Sequence, residues 1–262
     1  VTSFIADIPQ KPALTRLKHI RPVHDLTSVL LHRESFTKFE SDVLATYSRH
    51  LEARLPSWDS KDYPDGRAVS YVNRIFKSHL PRYEDTPSKL PGNDLAIVIN
   101  SPKLSGAGLG VEIDSHKTIL RLNHRREGEH THKDVGFRTT LHMMDENSCY
   151  EFTRNLLPTN LGHTGIFNIF SGVQSELAAC LEYARFLDCG GDPSLFFVLK
   201  PSFRGAITAL SESGSPSLGF IATAFALRLF DNITVYGHAA SPSFEHSELL
   251  ACASHFTNFS IR

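Results

Sequence analysis

The stretch from Leu95 to Met144 reads LAIVINSPKLSGAGLGVEIDSHKTILRLNHRREGEHTHKDVGFRTTLHMM. It starts on a short apolar run, Leu95–Ile99, closed off by Asn93-Asp94 before it and Asn100-Ser101-Pro102 after it. Short continuous apolar runs bounded by turn residues are how strands buried on both faces of a parallel sheet read. A Gly-rich stretch follows, with Gly106, Gly108 and Gly110, and further strands are predicted over Thr118–Leu122 and Thr139–Met144. Outward toward the C-terminus, strands are predicted at Gly165–Phe170, Leu195–Leu199 and Ile233–Tyr236. Helices are predicted at Val173–Leu187 and at Ser217–Phe230, the second opened by the start signals Ser215, Pro216 and Ser217. Strands alternating with helices predict a Rossmann-like α/β domain with a mostly parallel sheet flanked by helices. Toward the N-terminus the chain is polar and punctuated by Pro56, Pro64, Pro81, Pro87 and Pro91, with helical spacing over Ser41–Leu55 and Ala68–Leu80. Residues 1–92 read as a helical lead-in packed on a Rossmann-like core over 93–262, one structural domain overall.

Composition narrows the function classes. The 262 residues carry a formal charge of -1 and are 41% hydrophobic, which supports a buried core and gives no basic excess for a nucleic-acid partner. No apolar run is long enough to span a membrane. Cys149, Cys180, Cys189 and Cys252 fit no CxxC metal pattern, and read either as buried thiols or as one or two disulfides. Two glycosylation sequons occur, Asn232-Ile233-Thr234 and Asn258-Phe259-Ser260, which permit a secretory location.

Asn100 and Ser101 fall at the carboxyl end of a predicted strand, where ligands bind in open α/β sheets. Short polar side chains and exposed amides there suit phosphate or ribose oxygens. The run GAGLG departs from the dinucleotide fingerprint, which disfavours a nicotinamide-dependent oxidoreductase.

Two segments carry a family resemblance. Within Leu95–Met144, the landmarks are the strand into Asn100-Ser101, the Gly-rich turn, Glu112-Ile-Asp114-Ser115-His116, Arg121-Leu-Asn123 and KDVGFRTT. This segment is similar to the large sialylmotif of the animal-type sialyltransferases. GSPSLGFIATAFALRLFDNITVYG, from Gly214 to Gly237, resembles their small sialylmotif. The resemblance implies a single Rossmann-like domain, a variant of the A-type glycosyltransferase fold. It also implies transfer of sialic acid from CMP-sialic acid to a glycan hydroxyl, without metal or other cofactor. Asn100, Ser101 and Asn123 are then expected on the cytidine and phosphate side of the donor, with Gly237 near the nucleotide. Ser217, Leu218 and Gly219 are expected at the sialyl group, whose carboxylate suits a helix N-terminus. Asp134, Arg138 and the threonines after it are expected to tie a loop to the sheet, and Asp114-Ser115 to form a helix end or turn.

The chain departs from the family in two places. Leu95 and Phe230 stand where the animal enzymes carry a disulfide-forming cysteine pair, so packing replaces the crosslink; this implies a distant, non-animal branch. After Gly237 comes only HAASPSFEHSELLACASHF, with no His-aromatic-aromatic-Glu segment and a short His246–Glu248 spacing. Histidine is the side chain suited to a base at neutral pH. His246 is the candidate base, with Glu248 to orient it. His238 is the second choice, and His255 a further one. His124, His130, His132 and His142 read as solvated or structural. Three alternatives stay open: a CMP-Kdo donor, a related CMP-linked acid sugar, or an inactive homologue that still binds CMP or a glycan. By resemblance the full protein is a type II membrane protein of the Golgi, its anchor outside this chain and this domain in the lumen. Its acceptor is a glycoprotein, glycolipid or polysaccharide.

Overall fold

The computed structural model describes residues 24–35, 74, 77–86, 90, 92–123, 132–145, 167–170, 196–210, 216–237 and 258–262. Among them, seven strands form one sheet: β1 Asp94–Val98, β2 Thr118–Leu122, β3 Leu141–Met144, β4 Phe167–Phe170, β5 Phe196–Val198, β6 Asn232–Tyr236 and β7 Asn258–Ile261. Their order is β5-β4-β3-β2-β1-β6-β7, and every neighbouring pair is parallel. The chain leaves β1 toward β2 on one side and leaves β6 toward β7 on the other. The carboxyl ends of β1 and β6 therefore mark the topological switch point, where such sheets bind ligands.

Strand alternation builds a core on each face. Leu95 and Ile97 of β1, Leu120 and Leu122 of β2, and Ile233 and Val235 of β6 join the larger core. Ala96, Val98, Ile119 and Tyr236 face the other way. The larger core is covered by helix Leu218–Leu229, whose residues from Phe220 to Leu227 are all buried. Helix Pro201–Leu210 and the segment 26–30 close that layer through Ile207, Leu26, Val29 and Leu30. On the opposite face lie two short helices, Gly110–Ser115 and His132–Val135. In chain order these four helices are α1 (Gly110–Ser115), α2 (His132–Val135), α3 (Pro201–Leu210) and α4 (Leu218–Leu229).

The Rossmann-like expectation holds, and β1, β2, β6 and α4 fall within a residue or so of their predicted bounds. β3 starts at Leu141, later than expected, because Thr140 Oγ1 accepts the Ile119 N–H at 3.2 Å and Arg121 Nε donates to Thr139 Oγ1 at 3.0 Å. These threonines serve the loop before the ladder begins. β5 is shorter than the expected Leu195–Leu199, with Leu199 in an antiparallel bridge to Leu30. The Gly-rich stretch, expected as a loop, holds a 3-10 turn at Pro102–Leu104 and then α1. Helix α3 and strand β7 were absent from the sequence prediction; Arg204, Gly205 and Thr208 interrupt the apolar spacing of α3, and Asn258 and Ser260 alternate with Phe259 and Ile261 in a strand too short to stand out. The lead-in, where described around residues 24–35, packs as 3-10 turns at Leu26–Ser28 and Arg33–Ser35. Of Ala68–Leu80, residues 74 and 77–79 are helical and Leu80 is buried. The predicted helices Ser41–Leu55 and Val173–Leu187 and all four cysteines lie outside the described residues.

Leu95 and Phe230 are both buried in the larger core. Leu95 pairs with Ile233 in the ladder, three residues past Phe230, so strand β1 and the end of α4 meet through apolar side chains. No helix among the described residues is long and apolar enough to cross a membrane.

Candidate active site

A cleft of about 40 Å³ opens at the carboxyl ends of β1 and β2. Ile99, Asn100, Arg121, Asn123 and Leu104 line it, with Val135 from α2. A larger hollow of about 190 Å³ lies between Leu90, Gly92, Asn93 and Phe230, at the amino ends of the strands. The carboxyl edge is where strand ends and loops present polar groups, so the smaller cleft is the candidate site.

Asn100 and Asn123, expected at the donor, are brought together there. Asn123 adopts a left-handed backbone with φ of 53°, which asparagine tolerates better than most residues. Its backbone N–H donates to the Met143 carbonyl at 2.9 Å, and its carbonyl bonds His142 Nε2 at 2.9 Å. Its side chain donates to Asp145 Oδ2 at 2.8 Å and accepts from the Asp145 N–H at 3.0 Å. Asn123 is thus held in one orientation, with one amide hydrogen left beyond these bonds. Ser101 Oγ accepts the Lys103 N–H at 3.4 Å as the cap of the 3-10 turn.

Glycine is required where β6 ends. Gly237 has φ of +80°, and a Cβ there would stand 2.8 Å from Leu104 Cδ1 and 2.9 Å from the Ile99 carbonyl oxygen. Gly237 therefore packs directly against the end of β1 and against Leu104 of the cleft wall.

Because α4 ends just before β6 begins, it runs against the strands and its N-terminus faces the carboxyl edge. Ser217 is its N-cap, and Ser217 Oγ accepts the Phe220 N–H at 3.3 Å. The cap uses the hydroxyl as acceptor, which leaves its O–H to donate. Leu218 and Gly219 form the first turn, whose amides and dipole favour an anion.

The KDVGFRTT segment is a clamp. Asp114 accepts the Phe137 and Arg138 N–H groups at 3.0 Å each. Arg138 Nη1 donates to the Asp114 and His116 carbonyls. Asp134 accepts the Gly108 N–H at 3.0 Å. Arg121 donates to the Arg138 carbonyl, to Thr139 Oγ1 and, at 2.7 Å, to the Val135 carbonyl. His132 stacks edge-on against Phe137, and His142 holds the Asn123 carbonyl, so both are structural. Behind the clamp, His116 bridges Asp94 at 2.9 Å and the Tyr236 hydroxyl at 2.8 Å, and that hydroxyl donates to Glu112 at 3.0 Å. Burial, reinforced by the bond to Glu112, pushes the Tyr236 phenol well above its ordinary value.

His246, His238 and Glu248, with His255, His124 and His130, lie outside the described residues. Sequence reasoning missed Arg121 as a cleft residue and Asp145 as the partner that holds the Asn123 side chain. Asp145 follows the end of β3 as Asn123 follows that of β2, and that shared position was the available signal.

An all-parallel Rossmann-like sheet with polar residues gathered at the carboxyl ends of β1 and β2 makes this an α/β protein of the kind that holds ligands at that edge. The sequence profile of glycosyltransferase family 29 (sialyltransferase) matches residues 46–250, and the chain belongs to that family. It is 28% identical over 159 residues to the CMP-N-acetylneuraminate-beta-galactosamide-alpha-2,3-sialyltransferase 2 of Mus musculus, and equally to that of Rattus norvegicus. That alignment covers 55% of this chain and 43% of the mouse protein, so the chain matches less than half the length of this relative. A crystal structure of a mammalian sialyltransferase in complex with Gal-beta-1-3GalNAc-ortho-nitrophenol superposes with a TM-score of 0.59 at 16% identity, over 99% of this chain and 98% of that one. A second mammalian sialyltransferase structure gives 0.60, over 97% and 95%. At these identities the structures establish the shared fold.

Proposed function

We propose that this chain is a sialyltransferase that moves sialic acid from CMP-sialic acid to a glycan hydroxyl, inverting the anomeric carbon, with a histidine as general base and no metal. The observation that carries the reading is the meeting of Asn100, Asn123 and Arg121 in one cleft at the carboxyl ends of β1 and β2 of a family 29 chain. Asn100 and the remaining amide hydrogen of Asn123 bind the cytidine and phosphate side of the donor. Ser101 adds a hydroxyl at the same strand end, and Gly237 lets the nucleotide approach the backbone closely. The sialyl carboxylate sits at the α4 N-terminus, against the Ser217 hydroxyl and the Leu218 and Gly219 amides.

CMP leaves with a single phosphate, so the charge that develops is smaller than for a nucleoside diphosphate. Preorganised amides and hydroxyls suit that load. His246 accepts the acceptor hydroxyl's proton, oriented by Glu248, with His238 the alternative base or phosphate partner. A relative named as a beta-galactosamide alpha-2,3-sialyltransferase, and another bound to Gal-beta-1-3GalNAc-ortho-nitrophenol, make a galactoside the first acceptor class to test. The full-length protein is proposed as a type II membrane protein with this domain in the Golgi lumen.

The test is transfer from CMP-sialic acid, with CMP-Kdo as competitor donor, by the chain and its His246→Ala variant. We expect turnover from CMP-sialic acid and a loss of kcat of about a hundredfold or more in the variant, the scale of a general base. Unchanged turnover would move the role to His238.

A further inference from the structure

The two sequons lie side by side in the sheet. β6 and β7 pair Asn232 with Asn258, Ile233 with Phe259 and Thr234 with Ser260. Asn258 Nδ2 donates to Asn232 Oδ1 at 2.8 Å, and Ser260 Oγ to Thr234 Oγ1 at 2.9 Å. Both sequons therefore point to the same face, one strand spacing apart, about 4.8 Å. The two positions differ in access. Asn232 is half-buried on a strand flanked by β1 and β7, with its N–H donated to the Asn93 carbonyl. Asn258 and Ser260 are exposed on the outer strand of the described sheet.

We infer that Asn258 is an N-glycosylation site and that Asn232 stays unmodified beside it. In the modification, one Asn258 Nδ2–H bond is replaced by a bond from Nδ2 to the anomeric carbon of a sugar. The lipid pyrophosphate that carried the sugar departs and takes up the proton. Nδ2 keeps one hydrogen, so the bond to Asn232 Oδ1 survives. A glycan on Asn232 would instead stand where the Asn258 side chain lies and would obstruct β7. Two glycans one strand spacing apart would compete for the same space. At Asn258 the sugar also covers the start of an outer strand, a place where a sheet otherwise recruits further strands.

The inference rests on the lumenal location proposed above. The test directs the chain into the secretory pathway of a eukaryotic cell with a cleavable leader and reads its mass before and after an N-glycan-specific endoglycosidase. We expect one mass step for the parent chain and for Asn232→Gln, and none for Asn258→Gln or Ser260→Ala. Ser260→Ala keeps the Asn258–Asn232 bond, so it reads the modification even if Asn258→Gln folds poorly. No step in the parent, two steps, or a step that survives both Asn258→Gln and Ser260→Ala would overturn the site. CMP binding measured on the same secreted protein separates the two claims: binding without a glycan rejects the site alone, and a glycan without binding rejects the donor reading alone.

Discussion

With both ends of its amide held by Asp145, Asn123 is aimed before any ligand arrives, and the ordering cost of binding is reduced accordingly. Asp145→Ala is predicted to leave the fold intact and to weaken CMP binding about fivefold, on the scale of one net hydrogen bond of ~1 kcal/mol; titration calorimetry reads it. Gly237 makes a stronger demand. Gly237→Ala forces a left-handed residue and a clash with Leu104 and the Ile99 carbonyl. A stability loss of about 1–3 kcal/mol by denaturant unfolding is expected, together with reduced CMP affinity because the cleft wall moves. Tyr236 is held neutral, its phenol raised by burial and by Glu112. A group whose folded pKa is raised contributes stability below its unfolded value and loses it as pH climbs further. Stability should therefore fall above about pH 10, and Tyr236→Phe should show a shallower alkaline decline in thermal unfolding.

Helix α4 joins packing to chemistry. Its residues from Phe220 to Leu227 are buried while Ser217 caps its N-terminus at the carboxyl edge. Ser217→Ala is predicted to cost about 1 kcal/mol of stability and, if the hydroxyl also meets the sialyl carboxylate, to lower kcat/KM for the donor more than it lowers affinity for CMP alone. Much of this was legible. The run Leu95–Ile99, too short for a helix and bounded by turn residues, reads as a strand buried on both faces, and the cap signal at Ser217 located α4 to within a residue. The clamp around Asp114 and Arg138 was legible only as a structural expectation, because its bonds join residues more than twenty apart in sequence. α1 was hidden by its glycines: a Cβ on Gly110 would stand 2.1 Å from the His132 carbonyl oxygen, so that glycine serves close packing of α1 on α2 rather than a flexible loop.

At the scale of the whole molecule, a parallel sheet with one switch point leaves a ligand few places to bind, and the strand-end residues Asn100, Asn123 and Asp145 gather at its carboxyl edge. The proposed histidine base rests on resemblance, since fourteen histidines offer no spacing that singles one out. The central claim is that this cleft takes a CMP-linked acid sugar. The most direct measurement is a thermal-shift titration against CMP, CMP-sialic acid, CMP-Kdo, UDP, GDP and NAD, with and without EDTA. A ligand that binds the fold raises its melting temperature with the logarithm of its excess. The account predicts stabilisation by the CMP species and not by UDP, GDP or NAD, unchanged by EDTA. Stabilisation by UDP, GDP or NAD without CMP would contradict it.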